Sequence, residues 1–210
     1  MDLLAELRTE PYVLIQKRQE EIVTNINLLD EAELVRHHRY LDSRKKMEFL
    51  SGRCLVKREL AEALGKTPSS VSLSLSENGK PFYKQEDNKP IYFNLSHGSG
   101  YYVLAISLSP VGVDVEEKRD LDFEIMRPIF SDSEVEQLET IPKEELSDQG
   151  LKLFTAKEAF IKATDKQYGL DEIEFGLVKG SWSLQFPKRN CIIEHIIDND
   201  LVIAISVLQV

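Results

Sequence analysis

The chain is poor in the features that staple small secreted or metal-bound proteins together. It has only two cysteines in 210 residues, Cys54 and Cys191. Neither has a second cysteine or a histidine at metal-ligand spacing beside it, so neither a disulfide framework nor a zinc site is indicated. No apolar run approaches the ~18 residues of a membrane span, and the opening MDLLAELRTE has three acids and no basic leader ahead of an apolar core. A soluble, cytoplasmic protein with two reduced thiols is expected. Basic excess is missing as well. There are 26 Lys and Arg against 36 Asp and Glu, a net charge of −10, which argues against generic binding to nucleic acid or to an anionic membrane. The sequence also lacks a Walker-type glycine loop or a kinase signature, which counts against a phosphotransferase that uses ATP.

The charge that is there is unevenly spread. Residues 1–110 hold 15 basic and 15 acidic side chains, whereas residues 111–210 hold 11 and 21, so the whole excess lies in the second half. Within the neutral half, residues 36–66 hold nine bases and four acids; residues 114–148 hold four bases and thirteen acids. Each is a candidate for a solvated helix face of unequal charge, or for a local site that the net charge conceals.

Hydrophobic periodicity divides the chain into two similar halves, residues 1–109 and 110–210. YVLIQ (12–16) reads as a strand, Asp30 and Glu33 have capping-box spacing, and a long helix from about Ser43 to Leu64 ends at Gly65. Strands follow at VSLSLS (71–76), IYFNL (91–95) and YYVLAISL (101–108), the last two joined by SHGSG, and then at VGVDV (111–115). In the second half Ser131 or Asp132 caps a short helix, a long helix runs from about Pro142 to Lys166, and strands are expected at 174–178, 181–186, 191–197 and 201–210. The echo of VLAIS (103–107) in VIAIS (202–206) hints at an internal duplication of α+β halves.

Three constellations can carry chemistry. In GVDVEE, Asp114 and Glu116 are two apart and so share one face of a strand, while Glu117 points the other way. Two such carboxylates repel by roughly 2–4 kcal/mol at an effective dielectric near 20, a cost that Mg²⁺, a hard ion suited to carboxylates, water and phosphate oxygens, would remove. An ordinary polar strand edge has the same pattern. In FTAKEAFIKA (154–163), Phe154, Glu158 and Lys162 form one helical column beside an apolar stripe of Leu153, Ala156, Phe160 and Ala163; the column is either a surface ion pair or a metal ligand with a counter-charge for phosphate. In FNLSHG (93–98), adjacent Ser96 and His97 point apart on an extended chain, which disfavours a catalytic dyad. Asn94, Ser96 and His97 are better placed to hydrogen-bond a ligand, or to stabilise their own turn. Lys80, in ENGKPF, follows a glycine turn.

In this order and spacing, NGKPF, FNLSH, GVDVEE and FTAKEAFIKA, preceded by FLSGRCLVKREL, resemble the 4′-phosphopantetheinyl transferase family in its long, Sfp-type branch, over about Arg44 to Gly169. The resemblance implies an α+β pseudo-dimer working as a monomer. It implies transfer of the phosphopantetheine arm of coenzyme A to a serine of an apo acyl, peptidyl or aryl carrier protein, releasing adenosine 3′,5′-bisphosphate. It further implies that Asp114, Glu116 and Glu158 bind Mg²⁺, that Lys162 contacts the pyrophosphate, and that Arg44, Lys80, Asn94, Ser96 and His97 hold coenzyme A. Glu158, or a water held by the carboxylates, is the expected base, with Glu134 the weaker candidate. Two positions depart from the family: Phe154 stands where tryptophan is usual, and ATDKQYGL after Lys162 has aspartate where glycine is common. The rival readings are a coenzyme A- or carrier-binding module without turnover, and an unrelated Mg²⁺ phosphotransferase.

Overall fold

The computed structural model describes residues 3–84, 90–120 and 122–209. The short helix α1 (Leu3–Glu6) precedes strand β1 (Val13–Arg18), then come helices α2 (Glu31–Arg39) and α3 (Ser43–Leu64) and strands β2 (Ser74–Leu75), β3 (Pro81–Lys84), β4 (Pro90–Gly98) and β5 (Tyr101–Ser107). The second half runs through strand β6 (Val111–Glu117), helices α4 (Phe123–Met126), α5 (Asp132–Glu139) and α6 (Lys143–Thr164), and strands β7 (Glu174–Val178), β8 (Ser181–Phe186), β9 (Cys191–Asp198) and β10 (Leu201–Leu208). The fold is therefore α+β, and no helix among the described residues is long and apolar enough to cross a membrane.

One element order occurs twice: a strand, a short capped helix, a 22-residue helix, a hairpin and two further strands. The pairing repeats as well, with β1-β5-β4 continued by β3 and β2 in one sheet and β6-β10-β9 in the other, antiparallel throughout. The two sheets pack face to face. Val103 and Ala105 of β5 meet Val111, Val113 and Val115 of β6 and Ile203 and Ile205 of β10 in one buried cluster. The alternate residues turn outward in each half: Tyr102, Leu104 and Ile106 join the core under α3, and Gly112 and Asp114 face α6. The sequence echo is out of phase with this arrangement. Ala105 faces the other sheet, whereas Ala204 pairs with Asp114 on the α6 side, so aligning VLAIS with VIAIS would flip every side chain.

Several boundaries differ from expectation for local reasons. The strand expected at 71–76 pairs only at Ser74–Leu75, because a 3₁₀ turn at Pro68–Ser70 precedes it and its partner Pro81 has no N–H to donate. Strand β4 runs through Ser96, His97 and Gly98, and the turn is the dipeptide Ser99-Gly100, with φ of 50° and 80°. The expected strand 201–210 ends at Leu208, and Val210 lies outside the described residues. Helix α6 ends at Thr164, and Asp165 takes the left-handed conformation, φ 53°, that glycine usually supplies.

Each half holds a buried ion pair in the same place. Ser131 caps α5, and Glu134 closes the box by accepting from Ser131 N at 2.8 Å. Glu134 then accepts from Phe175 N at 2.8 Å and pairs with Lys157 of α6, both side chains being fully buried. Lys157 also donates to Leu170 O at 2.8 Å. In the first half Asp30 caps α2, Glu33 closes the box, and Lys57, equally far along α3 as Lys157 is along α6, pairs with Glu33 at 2.6 Å and donates to Leu28 O at 2.8 Å. Glu134 is thus saturated by structural donors inside the core, which leaves it no proton-accepting role.

Removing one member strands a buried charge, so Glu134→Ala should cost ~3–5 kcal/mol in urea denaturation. The double variant Glu134→Leu with Lys157→Met should recover part of that loss, and a single-variant cost below about 1 kcal/mol would show that the pair does not hold α6 in place.

Candidate functional site

The site forms where α6 lies on β6. A Cβ built on Gly112 would overlap the Ala159 carbonyl oxygen and the Ala163 nitrogen, and would stand 2.9 Å from the Lys162 carbonyl carbon. Only glycine allows this approach. Asp114, two residues on, is thereby buried against the helix, and Lys162 Nζ lies 2.6 Å from Asp114 Oδ1. Ser96 of β4 completes a triangle: its hydroxyl donates to Asp114 Oδ1 at 3.1 Å, and Lys162 Nζ donates to Ser96 Oγ at 3.3 Å. The two halves therefore meet at one carboxylate. Asn94 strengthens the junction, its Oδ1 accepting from Val113 N at 2.9 Å.

Glu116 and Glu158 are half-buried and lie within electrostatic reach of Asp114. Burial pushes the carboxyl pKa of Glu116 up, and the charge of Asp114 adds to the effect; Arg119, 3.5 Å away, opposes it. Burial likewise raises that of Glu158, with Lys162 opposing and Asp114 reinforcing. Three carboxylates thus act on one another around an incomplete counter-charge. Asp114 Oδ2 is buried without a hydrogen-bond partner. Among the described residues, no three acid, histidine or cysteine side chains already converge as a metal cage. The donor set is nevertheless of the hard-oxygen kind that suits Mg²⁺, which completes its shell with water and phosphate oxygens.

A cleft of about 380 Å³ opens between α2, α3 and β4. Its walls include Arg36, Lys45 and Arg53, with Asn94 and His97 from β4. Phe49 forms a platform there, with the Arg53 guanidinium 5.1 Å and that of Arg36 5.4 Å from its ring centroid. Glu33, already holding Lys57, fixes Arg53 through a 3.2 Å ion pair. His97 stacks on Tyr102 at 5.3 Å. Ser96 and His97 thus serve opposite faces of β4, one reaching Asp114 and the other the cleft.

The nine residues singled out from the sequence do not all converge. Ser96, Asp114, Glu116, Glu158 and Lys162 come together, and Asn94 and His97 border the cleft. Arg44 stands apart, mostly exposed and paired with Glu48 at 3.7 Å, while its neighbour Lys45 lines the cleft. Lys80 points inward, donating to the main-chain carbonyls of Val111, at 3.1 Å, and Lys162. Arg36, Phe49 and Arg53 form a group that spacing does not reveal; the basic balance of residues 36–66 and the FLSGRCLVKREL segment are the signals that point toward them.

Comparison with known proteins agrees along most of the chain. Residues 110–206 match the family model of the 4′-phosphopantetheinyl transferase superfamily, and residues 16–109 match that of the 4′-phosphopantetheinyl transferase N-terminal region. The 4′-phosphopantetheinyl transferase psf-1 of Bacillus pumilus is 29% identical over 85% of this chain and 77% of its own length. The 4′-phosphopantetheinyl transferase gsp of Aneurinibacillus migulanus is 28% identical over 72% of this chain, which spans 62% of that relative. A crystal structure of Thermotoga maritima holo-[acyl-carrier-protein] synthase (AcpS) aligns over 48% of this chain and 63% of its own, with 24% identity and a TM-score of 0.41.

Gly112→Ala should dismantle the site by pushing α6 off β6. The expected result is a stability loss of ~3 kcal/mol or more by chemical denaturation, with loss of the Lys162–Asp114 contact in a structure of the variant. An unshifted α6 would refute the close-packing argument.

Proposed function

This chain belongs to the 4′-phosphopantetheinyl transferase superfamily, and we propose that it transfers the phosphopantetheine arm of coenzyme A to a serine hydroxyl of an apo carrier protein. The observation that carries this reading is the Asp114–Lys162–Ser96 triangle, in which a cation, a buried acid and a free carboxylate oxygen meet between the two halves. In the reaction the serine oxygen bonds to the β-phosphorus of the pyrophosphate, and the bond to the departing adenosine 3′,5′-bisphosphate breaks. Such a transfer needs positioning and charge neutralisation more than covalent help from the protein.

Lys162, oriented by Asp114 and Ser96, supplies the protein's own cation to the pyrophosphate. Asp114, Glu116 and Glu158 are the residues that would hold Mg²⁺, which when bound neutralises phosphate charge. Glu158, whose affinity for protons burial raises, is suited to take the serine proton. Arg36, Lys45 and Arg53 give the cleft the charge that coenzyme A phosphates require, Phe49 holds the Arg36 and Arg53 guanidinium groups over its ring, and His97 adds a donor. Arg44 reaches this ligand only by turning from Glu48.

Residues 1–109 and 110–210 act as two halves of one enzyme, the first holding coenzyme A and the second the acids. Hydrogen bonds between the halves, such as Tyr12 to Glu194 at 2.5 Å and Gln16 to Asp198 at 2.9 Å, support a monomer as the working unit. The free Cys54 and Cys191 suit a reducing cytoplasm. Acyl, peptidyl and aryl carriers are the partner class, and the basic residues around the cleft complement an acidic recognition helix on such a carrier.

Mixing apo carrier, coenzyme A and Mg²⁺ should add one phosphopantetheine arm by intact mass, and Asp114→Ala should abolish the gain while leaving the fold intact. Coenzyme A binding without mass gain on acyl, peptidyl or aryl carriers would instead identify a binding module. A second outcome concerns charge. A raised carboxyl pKa means that the folded state binds protons more readily than the unfolded chain, so Glu116 contributes stability below its ordinary range and costs stability once ionised. Glu116→Gln should therefore raise Tm by about 2 °C at neutral pH while weakening the response of turnover to added Mg²⁺; a lower Tm would contradict the repulsion.

A further inference from the structure

The turn from Ser76 to Lys80, between β2 and β3, is locked on itself: Ser76 N donates to Lys80 O at 2.8 Å, Gly79 N to Ser76 O at 3.0 Å, and Lys80 N to Ser76 Oγ at 3.0 Å. From this rigid base two side chains cross to the other half. Asn78 Nδ2 donates to Asp165 O at 2.6 Å, and Lys80 Nζ donates to Lys162 O and, at 3.1 Å, to Val111 O. These acceptors are main-chain oxygens at the end of α6 and the start of β6. The last carbonyls of a helix have no partner within it and need one from outside. Here Asp165 stands where glycine would ordinarily close the helix, and the first half of the chain supplies the cap.

We propose that Lys80 and Asn78 are positioning residues, a C-cap lent by the first half that fixes the final turn of α6 and so sets Lys162 against Asp114 and Ser96. The gripped residue is the decisive one. Lys162 offers its carbonyl to Lys80 and its ammonium to Asp114, so a shift of its backbone moves the cation that serves the pyrophosphate. Val111, held by the same ammonium, adjoins Gly112, where α6 touches β6. One cation therefore ties the strand and the helix whose contact builds the site. Burial lowers the Lys80 pKa to about 8, with Asp165 opposing, so the ammonium is kept there at a desolvation cost that an idle surface lysine would avoid by turning outward. The helix end carries the negative pole of its dipole, which favours a cation at this point. This role differs from direct contact with coenzyme A, because it acts through the main chain of Lys162, and its catalytic consequence rests on the transfer reading given above.

The test compares Lys80→Met, Lys80→Arg and Asn78→Ala with the unaltered protein, by steady-state transfer to an apo carrier and by amide hydrogen exchange. Lys80→Met should lower kcat about tenfold to a hundredfold, as expected when a reacting group is misplaced by an ångström or less, with KM for coenzyme A changed less than about twofold. Lys80→Arg should restore most of kcat, and amides in the last turn of α6 should exchange faster in Lys80→Met, while those in the middle of the helix do not. A raised KM for coenzyme A with unchanged kcat would overturn the proposal in favour of direct contact, as would unchanged exchange in the last turn. If Lys80→Met does not fold, Asn78→Ala, which removes a single bond, decides by the same exchange measurement at Asp165 and Lys166. The exchange result stands whether or not the unaltered protein transfers phosphopantetheine, so the cap and the transfer reading fail separately.

Discussion

The absence of a side chain at Gly112 is the constraint on which the rest of the site depends. A methyl group there would collide with the backbone of α6, so helix and strand approach as closely as two main chains can. That approach sets Asp114 in a buried position between them and brings Lys162 of α6 against it, with Glu158 one turn earlier on the helix within electrostatic reach. Close packing is then made rigid by interactions at a distance from the chemistry. The Glu134–Lys157 pair, held behind α6 by the α5 capping box, fixes the helix along and about its axis, and the turn of Ser76 to Lys80 holds its end. A buried pair of this kind gains little net stability over an apolar one, whereas breaking it leaves a buried charge unpaired.

The repeated architecture shows which parts of this device are general and which are chemical. Both halves keep the capping-box glutamate, the buried lysine and the long helix across an antiparallel sheet. They solve close approach differently. In the first half the glycine is on the helix, where Gly52 packs against Leu95 and Tyr102, whereas in the second it is on the strand. The strand face that meets the helix differs accordingly: β1 offers Val13 and Ile15 to the core under α3, and β6 offers Gly112 and Asp114 to α6. The first half has filled with side chains the space that the second leaves for acids. Its own opening lies beside the Gly52–Leu95 contact, between α2, α3 and β4, where Phe49 and the arginines stand.

Local pattern made the helices and most strands legible. The capping box at Asp30, the helix start at Ser131 or Asp132, the stop at Gly65 and the stripe of Leu153, Ala156, Phe160 and Ala163 depend on neighbours within a few residues; the structure has each, with Ser131 as the cap. The Asp114, Glu158 and Lys162 grouping was legible only through resemblance, because spacing along the chain says nothing about which strand a helix will cover. What stayed hidden depends on contacts between distant segments. An exposed-looking lysine after a glycine turn gives no sign that it reaches main-chain carbonyls in the other half, and Arg36 and Arg53 are ordinary helix charges until α2 and α3 bring them over one phenylalanine. The VLAIS echo pointed to two similar halves, which the repeated element order shows, but its letters align out of phase, since a period of two makes similar letters in apolar strands cheap and their facing arbitrary.

The uneven charge now has a physical role. A chain of net charge −10 attracts no polyanion by its overall field, but at physiological salt that field is screened within ~8 Å, so the charges nearest the ligand decide. Those lining the cleft are Arg36, Lys45 and Arg53 against, among the described residues, the single acid Glu48, and the nearest to the acids is Lys162. Acids in the second half therefore do not repel a phosphate substrate so much as create an unmet demand for cations. Lys162 meets part of it at Asp114 Oδ1, while Oδ2 has no partner and the Glu116 and Glu158 carboxyls are raised, first by burial and further by the charge of Asp114. On the proposed reading, a pyrophosphate arriving with its own divalent cation would satisfy both sides at once, the acids receiving the charged complex and the basic cleft its nucleotide end.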